Sequence, residues 1–267
     1  MLGAIAGDII GSPYEGMRRN IRTTEFPLFK SGSRFTDDTV LTVAVADALL
    51  HGGGYVEKYK EYYALYPHAG YGGAFTHWAR SADNSPYGSW GNGSAMRVSP
   101  IGFAFDTLEE VLEQAKRSAG VTHDHHEGIK GAQATAASIF LARSGGSKQD
   151  IREYVESAFG YDLSEPLESL KAWYARDFDV MYISCQASVP PALITFLESR
   201  DFEDSIRKTV SIGGDSDTLA CINGGIAQAF YGGVPGHIED EVLARLDDRL
   251  SMVAIEFMDR FCRAAAE

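Results

Sequence analysis

Two short acidic segments carry the residues of this sequence best suited to chemistry. The first covers 36–39 with the sequence TDDT, and the second covers 213–218 with the sequence GGDSDT. Each directly precedes a long apolar pattern that predicts a helix, over 40–50 and over 219–231. Carboxylates crowded in this way repel one another, so a folded chain tolerates them where positive charge lies nearby.

Two explanations fit these segments. Asp and Thr are preferred N-cap residues, so Thr36 or Asp215 alone would begin its helix. The free N–H groups and the dipole of a helix start satisfy one or two carboxylates, but the two segments together hold four. Hard divalent cations bind sets of carboxylate, hydroxyl and water oxygens. The pair therefore favours a two-part metal site, whereas the spacing and distal Glu of an EF-hand calcium loop are absent.

The composition limits the classes of function. With 267 residues and 45% apolar content the chain can bury a substantial core, and no linker divides it, so a single domain over 1–267 is expected. The net charge of −13 and the pI near 5.0 argue against a general nucleic-acid surface and against docking to anionic membranes. An anionic ligand would need local positive charge, which bound cations would supply.

The cysteines and the N-terminus predict the cellular location. Cys185, Cys221 and Cys262 are widely spaced and form no CxxC pattern, which indicates a reducing cytosol rather than a disulfide framework. Residues 1–10 are apolar but contain Asp8 and lack a basic region, so they fit neither a signal peptide nor a membrane span. We therefore expect a soluble, cytoplasmic protein.

Helical periodicity runs through most of the chain, and no convincing run of alternating strand residues is present. The fold class is therefore predicted to be all-α, a compact multi-helix domain rather than a simple up-down bundle. The first helix, 1–11, is expected to be buried, with glycines that allow close approach of a neighbour. Residues 67–100 are expected to be loop-like. Further helices are predicted over 55–66, 108–119, 127–143, 149–159, 166–174, 188–199, 202–211 and about 239–263.

Two stretches near the N-terminus could reach a ligand. Pro13 ends the first helix and leaves Glu15 on a loop, where its carboxylate is either solvated or held at the mouth of a pocket. Residues 17–35 are the most cationic stretch, which is either a solvated surface or a loop that closes over an anionic ligand. Its basic residues are Arg18, Arg19, Arg22, Lys30 and Arg34.

Two further loops carry polar groups. The glycine-rich stretch 87–97, YGSWGNGSAMR, would let the backbone approach a ligand and bind an anion through successive N–H groups. It is not a P-loop, because GxxxxGKS/T is missing. Residues 122–126, THDHH, hold three histidines. Zinc is the least favoured explanation, since neighbouring positions diverge and no Cys accompanies them; a polar loop, or one histidine contacting a ligand hydroxyl or phosphate, are the others.

Taken together, these motifs resemble the ADP-ribosylglycohydrolase family, of the dinitrogenase reductase-activating glycohydrolase type. The resemblance covers nearly the whole chain, and the motifs occur in the expected order. They are 7–15 (GDIIGSPYE), 35–39 (FTDDT), 88–97 (GSWGNGSAMR), 122–123 (TH) and 213–218 (GGDSDT). No single motif is decisive, but their combination is very specific.

The resemblance implies an orthogonal multi-helix domain with long ligand-binding loops and two Mg²⁺ or Mn²⁺ ions. Such a domain hydrolyses the glycosidic bond between ADP-ribose and an acceptor, so the partners would be an ADP-ribosylated protein or small conjugate and the product ADP-ribose. Glu15, beside the metals, would be catalytic together with Asp37 and Asp217. The implied metal ligands are Thr36, Asp37, Asp38, Asp215, Asp217 and Thr218.

The resemblance also implies a ligand-binding loop for the pyrophosphate and distal ribose, and a ligand contact from His123. The loop residues are Gly88, Ser89, Trp90, Gly91, Asn92, Gly93 and Ser94. Trp90 stands where other members often carry Tyr, and Ser94 where Gly or Ala is common. The histidine run is looser than the usual form, so only His123 is transferred.

The chemistry expected from the residues agrees with this resemblance. Cleavage at an anomeric carbon passes through an oxocarbenium-like transition state, which a carboxylate stabilises and an activated water captures. Two cations can orient ribose hydroxyls and lower the pKa of a water. Two alternatives stay open: a binuclear-metal hydrolase acting on another nucleotide bond, and a family member that binds ADP-ribose without cleaving it.

Overall fold

The computed structural model describes residues 1–16, 19–175 and 180–262 and confirms the all-α prediction. Within these residues the only β-type pairing is an isolated bridge between Gly91 and Ser184. Two short 3-10 helices cover Ser12–Tyr14 and Val180–Ile183. The α-helices are α1 Leu2–Gly11, α2 Asp37–His51, α3 Tyr55–Leu65, α4 Gly73–Arg80, α5 Gly93–Met96, α6 Ser99–Ala104, α7 Leu108–Gly120, α8 His126–Arg143, α9 Lys148–Phe159, α10 Leu167–Tyr174, α11 Cys185–Leu197, α12 Phe202–Val210, α13 Ser216–Tyr231, α14 Gly236–Leu243 and α15 Asp248–Phe261.

The pair formed by α1 and α13 lies at the centre of the fold. A Cβ on Gly3 would lie 2.2 Å from the carbonyl oxygen of Gly224, and one on Gly7 would lie 1.9 Å from that of Ala220. Gly11 meets the start of α13 in the same way. Only glycine permits such an approach, as the sequence predicted. The antiparallel contact brings the end of α1 to the acidic start of α13.

Other helices enclose this pair. Helix α13 is buried from Ser216 to Gln228 and also packs against α8, α11 and α12. Helix α2 contacts both α1 and α13, and its outer side is covered by α3 and α15. The two acidic segments begin α2 and α13, so this packing places both segments at one location. No helix in the described part of the chain has the length and apolar character needed to cross a membrane.

The prediction that 67–100 is loop-like was wrong in part, because this stretch contains α4, α5 and α6. Helix α4 is too short for a clear periodic signal, but Phe75 and Trp78 lie three residues apart and both are buried. Helix α6 has Pro100 in its first turn, where the missing N–H costs no hydrogen bond.

Two predicted helix boundaries also need correction. The helix predicted over 239–263 is divided into α14 and α15, because the Asp247 side chain accepts a hydrogen bond from the Leu250 N–H and begins a new helix. Helix α11 begins at Cys185, before the predicted 188, since Ser184 caps it ahead of the prolines. Arg18 and the predicted end at 263 lie outside the described residues.

Candidate active site

Carboxylates from three parts of the chain converge at one place. Asp37 and Asp38 lie in the first turn of α2, Asp215 and Asp217 at the start of α13, and Glu15 directly after the first 3-10 helix. Carboxylate oxygens of Glu15, Asp215 and Asp217 lie within 4.8 Å of one another, and so do those of Asp8, Asp38 and Asp217. Asp217 belongs to both groups and joins them into one carboxylate cluster.

Asp8 is the member of this cluster that the sequence analysis did not assign. Its carboxylate accepts hydrogen bonds from the backbone N–H groups of Thr36 (2.9 Å) and Thr39 (3.1 Å) and from both threonine hydroxyls. These four donors occupy its oxygens, so Asp8 ties the start of α2 to α1. A single charged residue in an apolar, glycine-rich helix was the available signal.

Two threonine hydroxyls complete the cluster. The Thr36 hydroxyl donates to Asp8 at 2.8 Å and accepts from the Asp38 N–H at 3.2 Å, so it is both the N-cap of α2 and a neighbour of the carboxylates. The Thr218 hydroxyl lies 3.1 Å from Asp38 Oδ2 and links the starts of α13 and α2. The N-cap explanation and the cluster explanation therefore both hold at Thr36.

Burial and mutual repulsion raise the pKa of these aspartates. Burial and the neighbouring Asp8 raise the pKa of Asp37 to about 8, and burial raises the pKa of Asp8 and of Asp215 to about 6. The pKa values of Asp38 and Asp217 are raised well above 3.8, by burial and then by nearby carboxylates. Among the described residues, none of these groups forms an ion pair with Lys or Arg.

This donor set fits divalent cations. It offers carboxylate and hydroxyl oxygens on rigid helix starts, which is the ligand chemistry of Mg²⁺ and Mn²⁺. Buried carboxylates without a protein cation are costly unless something else neutralises them. The residues present therefore fit the metal site that the sequence predicted, although the identity and number of ions stay predictions.

The glycine-rich loop forms the wall opposite the cluster. It is anchored to the start of α11, because Asn92 N–H donates to the Ile183 carbonyl (2.8 Å) and Cys185 N–H to that of Trp90 (3.1 Å). The Asn92 side chain also donates to Asp215 Oδ2 at 2.6 Å. This bond joins the loop to the carboxylates across a cavity of about 420 Å³.

The predicted loop residues divide into two sets. Ser89, Gly91, Asn92 and Gly93 line the cavity. Gly88, Trp90 and Ser94 are not among the lining residues: the Ser94 hydroxyl is buried and donates to the Gly128 carbonyl, and the Gly88 N–H donates to Asp124. Contact of the first set with a ligand stays a prediction, whereas the second set supports the loop from behind.

The three histidines diverge, as expected. His123 is buried and lines the cavity, while His125 caps α8 by accepting from the Glu127 N–H (3.2 Å). His126 is exposed beside Glu127. Among the described residues no histidine joins a cluster of possible metal ligands, so the zinc explanation has no support in the geometry.

Several cavity-lining residues were missed by the sequence analysis. Phe75 of α4 and Tyr87 supply aromatic surface, and Arg97 is the one Lys or Arg among the described residues that line the cavity. Arg97 is fully buried. Its signal was its place at the end of the glycine-rich stretch. A smaller cavity of about 70 Å³ adjoins the main one and shares Glu15, Asp215 and Ile183 with it.

An all-α fold that sets a buried carboxylate cluster against a glycine-rich loop is the arrangement that the sequence resemblance implied. A family model, ADP-ribosylglycohydrolase, matches residues 1–266. The chain belongs to the ADP-ribosylglycohydrolase family and is an enzyme of that family.

Relatives and a solved structure agree with this assignment. The chain is 27% identical over 308 residues to human ADP-ribosylhydrolase ARH3, covering 87% of this chain and 84% of the relative. It is 24% identical over 308 residues to ADP-ribosylarginine hydrolase Tri1 of Pseudomonas putida, covering 97% and 77%. A solved chain titled "ADP-ribosylglycohydrolase-related protein complex" superposes with a TM-score of 0.69 at 26% identity, covering 96% of this chain and 93% of that one.

Proposed function

We propose that this protein is a metal-dependent hydrolase that cleaves the glycosidic bond between ADP-ribose and an acceptor and releases ADP-ribose. The acceptor would be a protein side chain such as arginine or serine, or a related small conjugate. The observation that carries the proposal is the convergence of Glu15 and the four predicted aspartates on a cavity whose other wall is a glycine-rich loop. The names of the ARH3 and Tri1 relatives support the substrate class.

Six residues would hold two divalent cations, Mg²⁺ or Mn²⁺. They come in two matched sets, one from each helix start, and Thr218 already contacts Asp38 across the two sets. When bound, the cations would supply charge to hold ribose hydroxyls and to lower the pKa of a water. The proposed ligands are Thr36, Asp37, Asp38, Asp215, Asp217 and Thr218.

The chain's own residues would carry the remaining steps. Glu15 is half-buried at the junction of the two cavities, where its carboxylate would take a proton from the attacking water or give one to the leaving group. Backbone N–H groups of the glycine-rich loop would bind the pyrophosphate. The hydrogen bond from Asn92 to Asp215 would fix the distance between the pyrophosphate and the reacting carbon.

The test is product analysis on a panel of substrates. Peptides with arginine-linked and serine-linked ADP-ribose would be incubated with Mg²⁺, with Mn²⁺ and with EDTA. We expect metal-dependent release of free ADP-ribose from at least one linkage, which would also name the acceptor. AMP or phosphate as the product would mean cleavage of another nucleotide bond. ADP-ribose binding without release from any peptide would mean a binding protein.

A further inference from the structure

A buried chain of hydrogen bonds leads from Arg97 to His123. Arg97 Nη2 lies 2.6 Å from Thr122 Oγ1, and the same oxygen lies 2.8 Å from His123 Nδ1. All three side chains are buried. Thr122 is placed by its own backbone, because its N–H and that of His123 both donate to the Ala119 carbonyl at the end of α7.

The donors and acceptors in this chain can be assigned from their chemistry. Arginine only donates, so Thr122 Oγ1 accepts from Arg97. The threonine hydroxyl has one proton, and His123 Nδ1 is the acceptor within hydrogen-bond distance of it. Nδ1 therefore carries no proton, and a neutral imidazole must then carry its proton on Nε2.

Nε2 is directed at the glycine-rich loop. It lies 3.2 Å from the position that a Cβ on Gly93 would occupy, and 3.6 Å from that on Gly91. Both glycines and His123 line the main cavity. The absence of side chains at these two positions leaves Nε2 open to a ligand atom.

The charge of Arg97 favours the same form of the imidazole. Burial, and then the neighbouring Arg97 guanidinium, lower the pKa of His123 well below 6.5, so the ring stays neutral. Arg97 stacks on Tyr59, with 4.5 Å from guanidinium carbon to ring centroid, and its Nε and Nη1 have no hydrogen-bond partner. A buried cation held by so few bonds is costly, which calls for a role beyond stability.

We propose that Arg97 and Thr122 are positioning residues that hold His123 as a neutral Nε2–H donor to an oxygen of the bound ligand. A donor of this kind selects a phosphate or hydroxyl oxygen and rejects a ligand N–H at the same place. The ligand being ADP-ribose rests on the proposed function, but the form of His123 does not.

The proton position is measured on the ligand-free protein by nitrogen NMR of the histidine side chains, with His123 assigned from its loss in His123→Gln. We expect a protonated Nε2 and an unprotonated Nδ1. Thr122→Val removes the hydroxyl, so Nδ1 should gain proton population, and Thr122→Ser should restore the original form. A wild-type His123 protonated on Nδ1, or a Thr122→Val spectrum like that of wild type, would overturn the proposal.

The role as a donor is tested by calorimetric binding of ADP-ribose. Loss of the fixed donor should weaken binding about tenfold in Thr122→Val, with recovery in Thr122→Ser. Unchanged affinity in Thr122→Val despite an altered proton position would contradict the donor role. Because the NMR result needs no substrate, a protein that releases no ADP-ribose would refute the proposed function and leave this test intact.

Discussion

Aspartates in two regions of the molecule are held in opposite ways. At Asp204 on α12 burial opposes ionisation, but hydrogen bonds from Arg200 and Lys208 outweigh it and lower the pKa to about 2. In the carboxylate cluster no such cation is present among the described residues, and the pKa of Asp37 is raised to about 8. Asp204 carries its counter-charge within the protein, whereas the cluster is arranged for a counter-charge that is bound.

The largest expected effect comes from removing charge in the cluster. Asp37→Asn and Asp217→Asn keep the size of the side chain but weaken cation binding, so each should lower ADP-ribose release at least about 100-fold. The exposed Asp240 on α14 provides the matched control, since Asp240→Asn makes the same chemical change far from the cluster. Near-normal release by either cluster variant would break the comparison.

Glu15→Gln should separate chemistry from binding. The amide cannot exchange a proton as the carboxylate does, so release should fall about 100-fold while ADP-ribose binding stays nearly unchanged. Release rates and calorimetric affinities would be measured in parallel with excess Mg²⁺. Full activity would remove Glu15 from the reaction, and a matching loss of affinity would make it a binding residue instead.

Stability should respond with opposite signs in the two regions. In EDTA, Asp38→Asn relieves an uncompensated buried charge and should raise the unfolding free energy by roughly 1–3 kcal/mol. Asp204→Asn removes an ion-pair partner and should lower it by about 1 kcal/mol or less. Thermal unfolding of both variants beside wild type makes the measurement. A destabilised, metal-free Asp38→Asn would show that the cluster is stabilising by itself.

The smallest effect is a pH dependence. The folded-state pKa of Asp37, about 8, and of Asp215, about 6, lie above 3.8, the value in the unfolded chain. The folded protein therefore binds protons more tightly, and in EDTA these groups should make its Tm fall between about pH 4 and about pH 8. Asp204 acts with the opposite sign, since its contribution is lost as the pH falls from about 4 to about 2. Excess Mg²⁺ should flatten the fall; a metal-free Tm that rises from about pH 5 to about pH 8 would contradict this account.

Local signals in the sequence predicted much of the fold and the cluster. The acidic doublets sit beside their own helix starts, and Gly3, Gly7 and Gly11 repeat at one face of α1, so both could be recognised without tertiary information. Asp8 was missed because its role depends on the packing of α1 against α2, which creates the pocket of donors around it. Its sequence environment shows only an acidic residue in an apolar helix.

Other features depend on contacts that the sequence does not display. Val242, Leu246 and Leu250 keep a helical spacing across the break between α14 and α15, so periodicity alone predicted one helix where Asp247 begins a second. Arg97 could be read as an ordinary polar residue until the fold buried it beside Thr122 and His123. Burial of single polar side chains is set by neighbours distant in sequence.

The most direct test of the central claim is a calorimetric titration of Mn²⁺ into protein freed of metal by EDTA. The account predicts saturable binding of two ions per chain by wild type and by Asp240→Asn, and loss of at least one ion in Asp217→Asn, whose carboxylate joins both carboxylate groups. Absence of Mn²⁺ and Mg²⁺ binding by wild type, or an unchanged titration of Asp217→Asn, would contradict it.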